Sequence, residues 1–214
     1  MSPEGMRDKT GTWLLKAYED AFKEWAARRV PSWLETWHLT YLSVLWCALV
    51  LLCFALGSKN HAFLFAVSPV VALQYVTDVL DGAVGRHRNT GLIRWGYYVD
   101  HILDFAFVTA ILLGYGLVVG FGIWLFLLHA IVTGLMVHVF LLVAATNEFK
   151  IGFFGFGPTE GRIFFCASHT ALVLHGIEAL PSILPYLVVV ASVLFVWVWL
   201  VAQAELWKMD MHSK

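Results

Sequence analysis

The chain has 214 residues, of which 60% are hydrophobic and 14% charged, with a formal net charge of -1 and a mean hydropathy of +0.75. Soluble globular chains carry about 25% charged residues, so this composition excludes a water-soluble domain and places the chain in a bilayer. No basic stripe marks a nucleic-acid partner, and Cys47, Cys53 and Cys166, all in apolar stretches, suit packing better than a disulfide framework or a metal cluster.

Residues 1–35 are predicted to form a cytoplasmic N-terminal segment. Over 12–29, helical spacing puts Leu14, Tyr18, Phe22 and Trp25 on one stripe, with Lys16, Glu19, Asp20, Lys23 and Glu24 over the rest. That pattern predicts an amphipathic helix lying in the membrane interface. The segment lacks the short apolar core and small-residue cleavage site of a secretory signal, so the first apolar span is expected to be retained.

A membrane domain over 36–207 follows, read as an all-α integral membrane fold of six transmembrane helices at 39–57, 61–81, 96–118, 121–145, 159–180 and 182–206. Gly57 to Asn60, Gly120 with Gly122, the Asn147 to Pro158 stretch and Pro181 supply the breaks. Residues 208–214 form a short tail. Six spans put both termini on one side, and every Lys and Arg except Lys59 then falls on that side. By the positive-inside rule it is cytoplasmic.

Between Thr36 and Asn147 the acidic residues are Asp78, Asp81, Asp100 and Asp104, all in or beside membrane spans. A carboxylate at bilayer depth costs about 2.5 to 3.5 kcal/mol, so the four need cationic partners. Asp78 and Asp81 are i,i+3 neighbours and Asp100 and Asp104 are i,i+4 neighbours, so each helix presents a pair on one face. Gly82 and Gly96 put small residues where two helices must come close. Arg86, Arg88 and Arg94 are nearest in sequence but better placed at the cytoplasmic mouth. A hard oxygen cage for Mg, Mn or Ca fits the group better, with a phosphate-bearing substrate completing the coordination. An ion-coupled transporter that uses the acids as its cation site is the rival reading from composition.

Asp78-x2-Asp81-Gly82-x2-Gly85-Arg86-x9-Gly96-x3-Asp100-x3-Asp104 resembles the signature of the CDP-alcohol phosphotransferases, D-x2-D-G-x2-A-R-x8/9-G-x3-D-x3-D, matching all fixed positions but the Ala, where Gly85 stands. The resemblance implies a membrane transferase of phospholipid synthesis. Such an enzyme takes a substituted phosphate from a CDP-linked donor to an alcohol acceptor and releases CMP, with two divalent ions, Mg2+ or Mn2+, in a cytoplasm-facing cavity. It implies metal ligation by Asp78, Asp81, Asp100 and Asp104, with Asp104 also the catalytic base. Asp81, Gly82, Arg86 and Gly96 would bind the donor. Membrane lipids are expected partners and a homodimer is the assembly the family suggests.

Two features bear on the substrate. Chain length and span number favour CDP-diacylglycerol as donor to a soluble alcohol. Asp100-His101-Ile-Leu-Asp104 and Gly157-Pro158-Thr159-Glu160-Gly161 resemble instead the choline and ethanolamine phosphotransferase branch, which joins a CDP-aminoalcohol to diacylglycerol. Residues 33–40 resemble the same branch, with Trp37 where an Asn usually stands. His101, Glu160 and Arg162 are further candidates for contacting the acceptor or supporting the site. His129, His138, His169 and His175 are spaced for interhelical hydrogen bonds rather than for a metal site.

Overall fold

Apolar runs in a membrane fold as helices because a helix satisfies its backbone N–H and C=O groups within the segment. The computed structural model describes residues 9–10, 13–90, 92–146, 149–150 and 157–212, and helices dominate it. They are α1 (Lys16–Ala27), α2 (Thr36–Gly57), α3 (Val67–Arg88), α4 (Ile93–Val119), α5 (Ile123–Thr146), α6 (Pro158–His175) and α7 (Leu180–His212). Short 3-10 turns, His61–Ala66 and Ile177–Ala179, lead into α3 and α7, and Lys9–Thr10 pairs in parallel with Phe149–Lys150.

Five helices are long and apolar enough to cross a membrane: α2, α3 with its leading turn, α4, α5 and α7 with its leading turn. The fifth predicted span, 159–180, corresponds to α6, whose 18 residues include Glu160, Arg162, His169 and His175 and fall outside that group. Glu160 and His169 turn inward and are buried, whereas His175 is exposed. Low hydropathy here thus reflects an inward face.

Several boundaries differ from those expected. Helix α3 continues past 81 to Arg88 and ends on Asn89, whose φ of 54° is the left-handed conformation that an Asn tolerates. The break between the last two helices falls at Gly176, with φ 111°, and not at Pro181. Pro181 occupies the first turn of α7, where its missing N–H forfeits no helical bond. Most of the expected break from Asn147 to Pro158 lies outside the described residues.

Helix α2 is the central strut and packs extensively on both α3 and α4. The core around it includes Val50, Phe54, Leu64, Val67, Phe107, Ile111 and Tyr115. The close helix approach predicted for Gly82 and Gly96 occurs instead at Gly114 of α4. A Cβ there would stand 2.0 Å from the Phe54 ring, which has no exposed surface into which to retreat. Overpacking of this kind costs about 1 to 3 kcal/mol, so Gly114→Ala is expected to lower the thermal midpoint in detergent. An unchanged midpoint would show that the α2–α4 contact is looser than described.

Hydrogen bonds tie the remaining helices together. His129 Nε2 on α5 lies 3.0 Å from Thr109 Oγ1 on α4. His169 on α6 joins Tyr115 OH at 2.6 Å and the Leu64 carbonyl at 2.9 Å. Arg88 donates to the carbonyls of Leu34, Val30 and Pro31 at 2.8 to 3.0 Å, which locks the end of α3 to the segment before α2.

Helix α1 docks on α3 with an unexpected face. Glu19, Ala26 and Ala27 are buried, whereas Leu14, Tyr18 and Trp25 from the apolar stripe are 76%, 75% and 55% exposed. Among the described residues, none covers Leu14, Tyr18 or Trp25.

Candidate active site

The ends of α3 and α4 form two walls of a cleft of about 490 Å³, with parts of α1, α2, α5 and α6 closing it. Because α3 stays helical through the aspartate segment and turns sharply at Asn89, α4 returns with its own acidic face toward the same space. Asp78, Asp100 and Asp104 each bring a carboxylate oxygen into one group whose members lie within 4.8 Å of one another. Among the described residues this is the one such group of three or more His, Cys, Asp or Glu side chains suited to a metal. Three hard oxygen donors at this separation fit a divalent cation of the Mg or Mn type, and they repel one another without a cation.

Asp81 lines the same cleft but belongs to a different contact: its Oδ2 accepts a hydrogen bond from Thr40 Oγ1 of α2 at 2.9 Å. Three residues beyond Asp78 on α3, it leans toward α2 rather than toward the other three acids. Trp46 Nε1 donates to Thr77 Oγ1 at 2.9 Å, giving the two helices a further polar link beside it.

Arg162 brings a cation of the protein's own to the trio. Its Nη2 donates to Asp78 Oδ2 at 3.1 Å and lies 3.8 Å from Asp104 Oδ1, while its guanidinium sits 4.8 Å from the centre of the Tyr75 ring. Arg86 and not Arg88 or Arg94 lines the cleft, and Arg88 is committed to three backbone carbonyls. Arg86 thus stands at the cleft, as expected of a residue at its mouth, while Arg88 serves the fold. Arg162, which reaches Asp78, arrives 84 residues after it.

Gly82 and Gly96 both face this space. A Cβ on Gly82 would meet the Arg86 guanidinium at 3.3 Å, and one on Gly96 would meet nothing within 4 Å. Neither glycine sits at a tight helix crossing, so what they keep open is the cleft itself. His101 lines the cleft with its Nδ1 2.6 Å from the Tyr97 carbonyl, 3.8 Å from Asp100, and its ring against Tyr97 and Phe140.

Glu160 is not among the residues lining the cleft. One carboxylate oxygen accepts from Leu15 N at 2.7 Å and the other from Gly157 N at 3.0 Å. It caps the start of α6 and ties the N-terminal segment to it.

Sequence reasoning missed Thr40, Tyr75 and the polar face of α1. Lys16, Glu19, Asp20 and Lys23 line the cleft. Glu19 is buried and accepts hydrogen bonds from Trp13 Nε1 at 3.1 Å, from Lys23 and from Thr159, whose hydroxyl also meets Tyr75 OH. Burial pushes the Glu19 carboxyl upward, but Lys23, Thr159 and Trp13 together outweigh it and hold it below its ordinary value of 4.5. Tyr75 had a legible signal, because it precedes Asp78 by three positions on the same stripe of α3. Glu19 had none, being one charge among several on a helix that reads as solvated.

A family model, CDP-alcohol phosphatidyltransferase, matches residues 35–206, most of the chain. No curated protein and no solved structure matches it. The chain belongs to the CDP-alcohol phosphatidyltransferase family and is a membrane transferase of substituted phosphate groups in phospholipid synthesis.

Proposed function

We propose that this family member moves a phosphatidyl group from CDP-diacylglycerol to the hydroxyl of a small soluble alcohol, releasing CMP. The observation that carries this reading is the convergence of Asp78, Asp100 and Asp104 within 4.8 Å, opposite Arg162, on an open cleft. A new bond forms between the alcohol oxygen and the phosphorus of the transferred group, and the bond from that phosphorus to the bridging oxygen of CMP breaks. Asp104 accepts the alcohol proton. Of the three clustered acids its side chain is the most exposed, at 32% against 21% for Asp100 and 8% for Asp78, which suits the one that must reach a second substrate.

Asp78, Asp81, Asp100 and Asp104 would hold two divalent ions, Mg2+ or Mn2+, which supply neutralising charge to the donor diphosphate. Arg86 offers a bidentate fork to a donor phosphate. Arg162 stands where an acceptor or donor phosphate oxygen could exchange with Asp78 as its partner. The open space before Gly96 supports close approach of the donor to the α4 backbone. Gly96→Ala is accordingly expected to fold like the wild type, since its Cβ meets nothing within 4 Å, yet to raise the donor KM about tenfold, the size of losing one well-fitted contact. Unchanged KM would remove Gly96 from the donor site.

The topology belongs to the same reading. Counting α6 as a sixth span puts both termini and the cleft on the cytoplasmic side, with 36–207 as the membrane domain. The uncovered stripe of Leu14, Tyr18 and Trp25 supports placing α1 in the membrane interface.

A second reading, transfer of an aminoalcohol phosphate from its CDP ester to diacylglycerol, is favoured by His101, which lines the cleft 3.8 Å from Asp100. The test is CMP release by purified protein given either donor class, a panel of alcohols or diacylglycerol, and Mg2+ or Mn2+. Release that requires CDP-diacylglycerol and a soluble alcohol is expected. Release only from the CDP-aminoalcohol with diacylglycerol would exchange the two readings, and no release from any pair would overturn both.

A further inference from the structure

A chain of contacts runs from the surface helix to the acidic group. Lys23 and Trp13 donate to Glu19, Thr159 donates to Glu19, Tyr75 meets Thr159, the Tyr75 ring lies under Arg162, and Arg162 donates to Asp78. Its elements come from α1, α6 and α3, which are far apart in sequence. The direction of the chain follows from counting protons. A threonine hydroxyl carries one hydrogen, and here it goes to the Glu19 carboxylate, an obligate acceptor when ionised. Thr159 can then only accept from Tyr75, so the Tyr75 O–H points to Thr159 and its ring is pinned in one orientation.

That orientation matters because the aromatic face supports Arg162 alongside Asp78 and Asp104. The guanidinium contacts the Tyr75 ring at 4.8 Å and Asp78 at 3.1 Å. A cation over an aromatic face is attracted to the ring without a fixed hydrogen-bond direction, so the tilt of the ring helps set where the guanidinium rests. Glu19 accounts for the other end. A carboxylate 9% exposed is surrounded by three separate donors, one of them carrying the link into the cleft.

We propose that Glu19, Thr159 and Tyr75 form a positioning relay that fixes Arg162 against the carboxylate trio, so that the site is fully assembled only when α1 is docked. The relay rests on the transferase reading above. None of the three touches the trio through an ion pair of its own; they act through Arg162. A group misplaced by about 1 Å in an active site costs up to about a hundredfold in rate, so partial release of Arg162 is expected to cost about tenfold in kcat.

The test uses the full chain with Tyr75→Phe, Thr159→Val, Thr159→Ser and Arg162→Ala, alone and combined, read by CMP release and by thermal midpoint. Tyr75→Phe keeps the ring but cuts the link to Thr159. It and Thr159→Val should each lower kcat about tenfold with little change in donor KM, while Thr159→Ser, which restores the hydroxyl, should recover most of the rate. In the Arg162→Ala background the same changes should cost nothing further, because the residue they position is gone. A relay that merely anchors α1 would instead lower the midpoint and add its full loss to that of Arg162→Ala, and this result would overturn the proposal. So would wild-type kcat in Tyr75→Phe beside an active parent. A parent that releases no CMP at all would overturn the transferase reading, and the relay with it.

Discussion

Asp104→Asn is expected to lower CMP release about a thousandfold while leaving donor binding within about threefold of the wild type, since positioned proton transfer contributes about 10² to 10⁴ in rate. The amide has the shape of the carboxylate but cannot take the proton from an attacking alcohol. Donor binding survives because Arg86, Gly82, Gly96 and the remaining acids still line the cleft. Unfolding is a poor explanation for such a loss. The substitution removes one of three like charges packed within 4.8 Å, and Arg162 keeps its closer partner, Asp78. The metal-free thermal midpoint should therefore hold or rise. Turnover within a few-fold of the parent would take the proton-acceptor role away from Asp104, and lost donor binding would make it chiefly a binding residue.

The sequence carries the helices and the acidic faces because both depend on local periodicity. Apolar runs of about 20 residues have one way to satisfy their backbone in lipid, and acids spaced by three or four share a helical face. What pairs with those faces is set by packing between distant segments. Arg162 lies in a stretch that reads as a positive anchor at a span end, yet α6 leans on α3 and delivers it to Asp78. Gly114 looks like any glycine in an apolar helix until the Phe54 ring is seen against it. Gly82 and Gly96 carry a motif signal, but spacing alone cannot distinguish a helix crossing from an open substrate space. Helix α1 misleads for the opposite reason: amphipathicity correctly separates its two faces, but the charged face meets the protein through Glu19 and the apolar one remains uncovered. A membrane inverts the usual rule that the apolar side of a surface helix faces the core. The low hydropathy of α6 follows from the same cause as its importance, since Glu160, Arg162 and His169 serve the interior.

Removal of divalent metal should have an effect as large as the loss of Asp104, and a second readout separates binding from catalysis. Protein treated with a chelator is expected to lose CMP release to background and to regain it with Mg2+ or Mn2+. Its thermal midpoint should fall on chelation and recover with the ion, because a ligand that binds only the folded state stabilises it, by about 2.7 kcal/mol at a hundred times its dissociation constant. The carboxylates themselves supply the reason. Asp78, Asp100 and Asp104 bring three carboxylates within 4.8 Å of one another, a set of hard oxygen donors suited to a divalent cation. A variant carrying both Asp78→Asn and Asp100→Asn loses two of these three hard ligands. Its midpoint should then be insensitive to Mg2+, even at concentrations that stabilise the parent. A midpoint that still rises with Mg2+ in that variant would move the ion-binding site away from the trio. If the parent showed full turnover in chelator, the acids would be left to hold Arg162 and receive the proton, with no resident metal in the reaction.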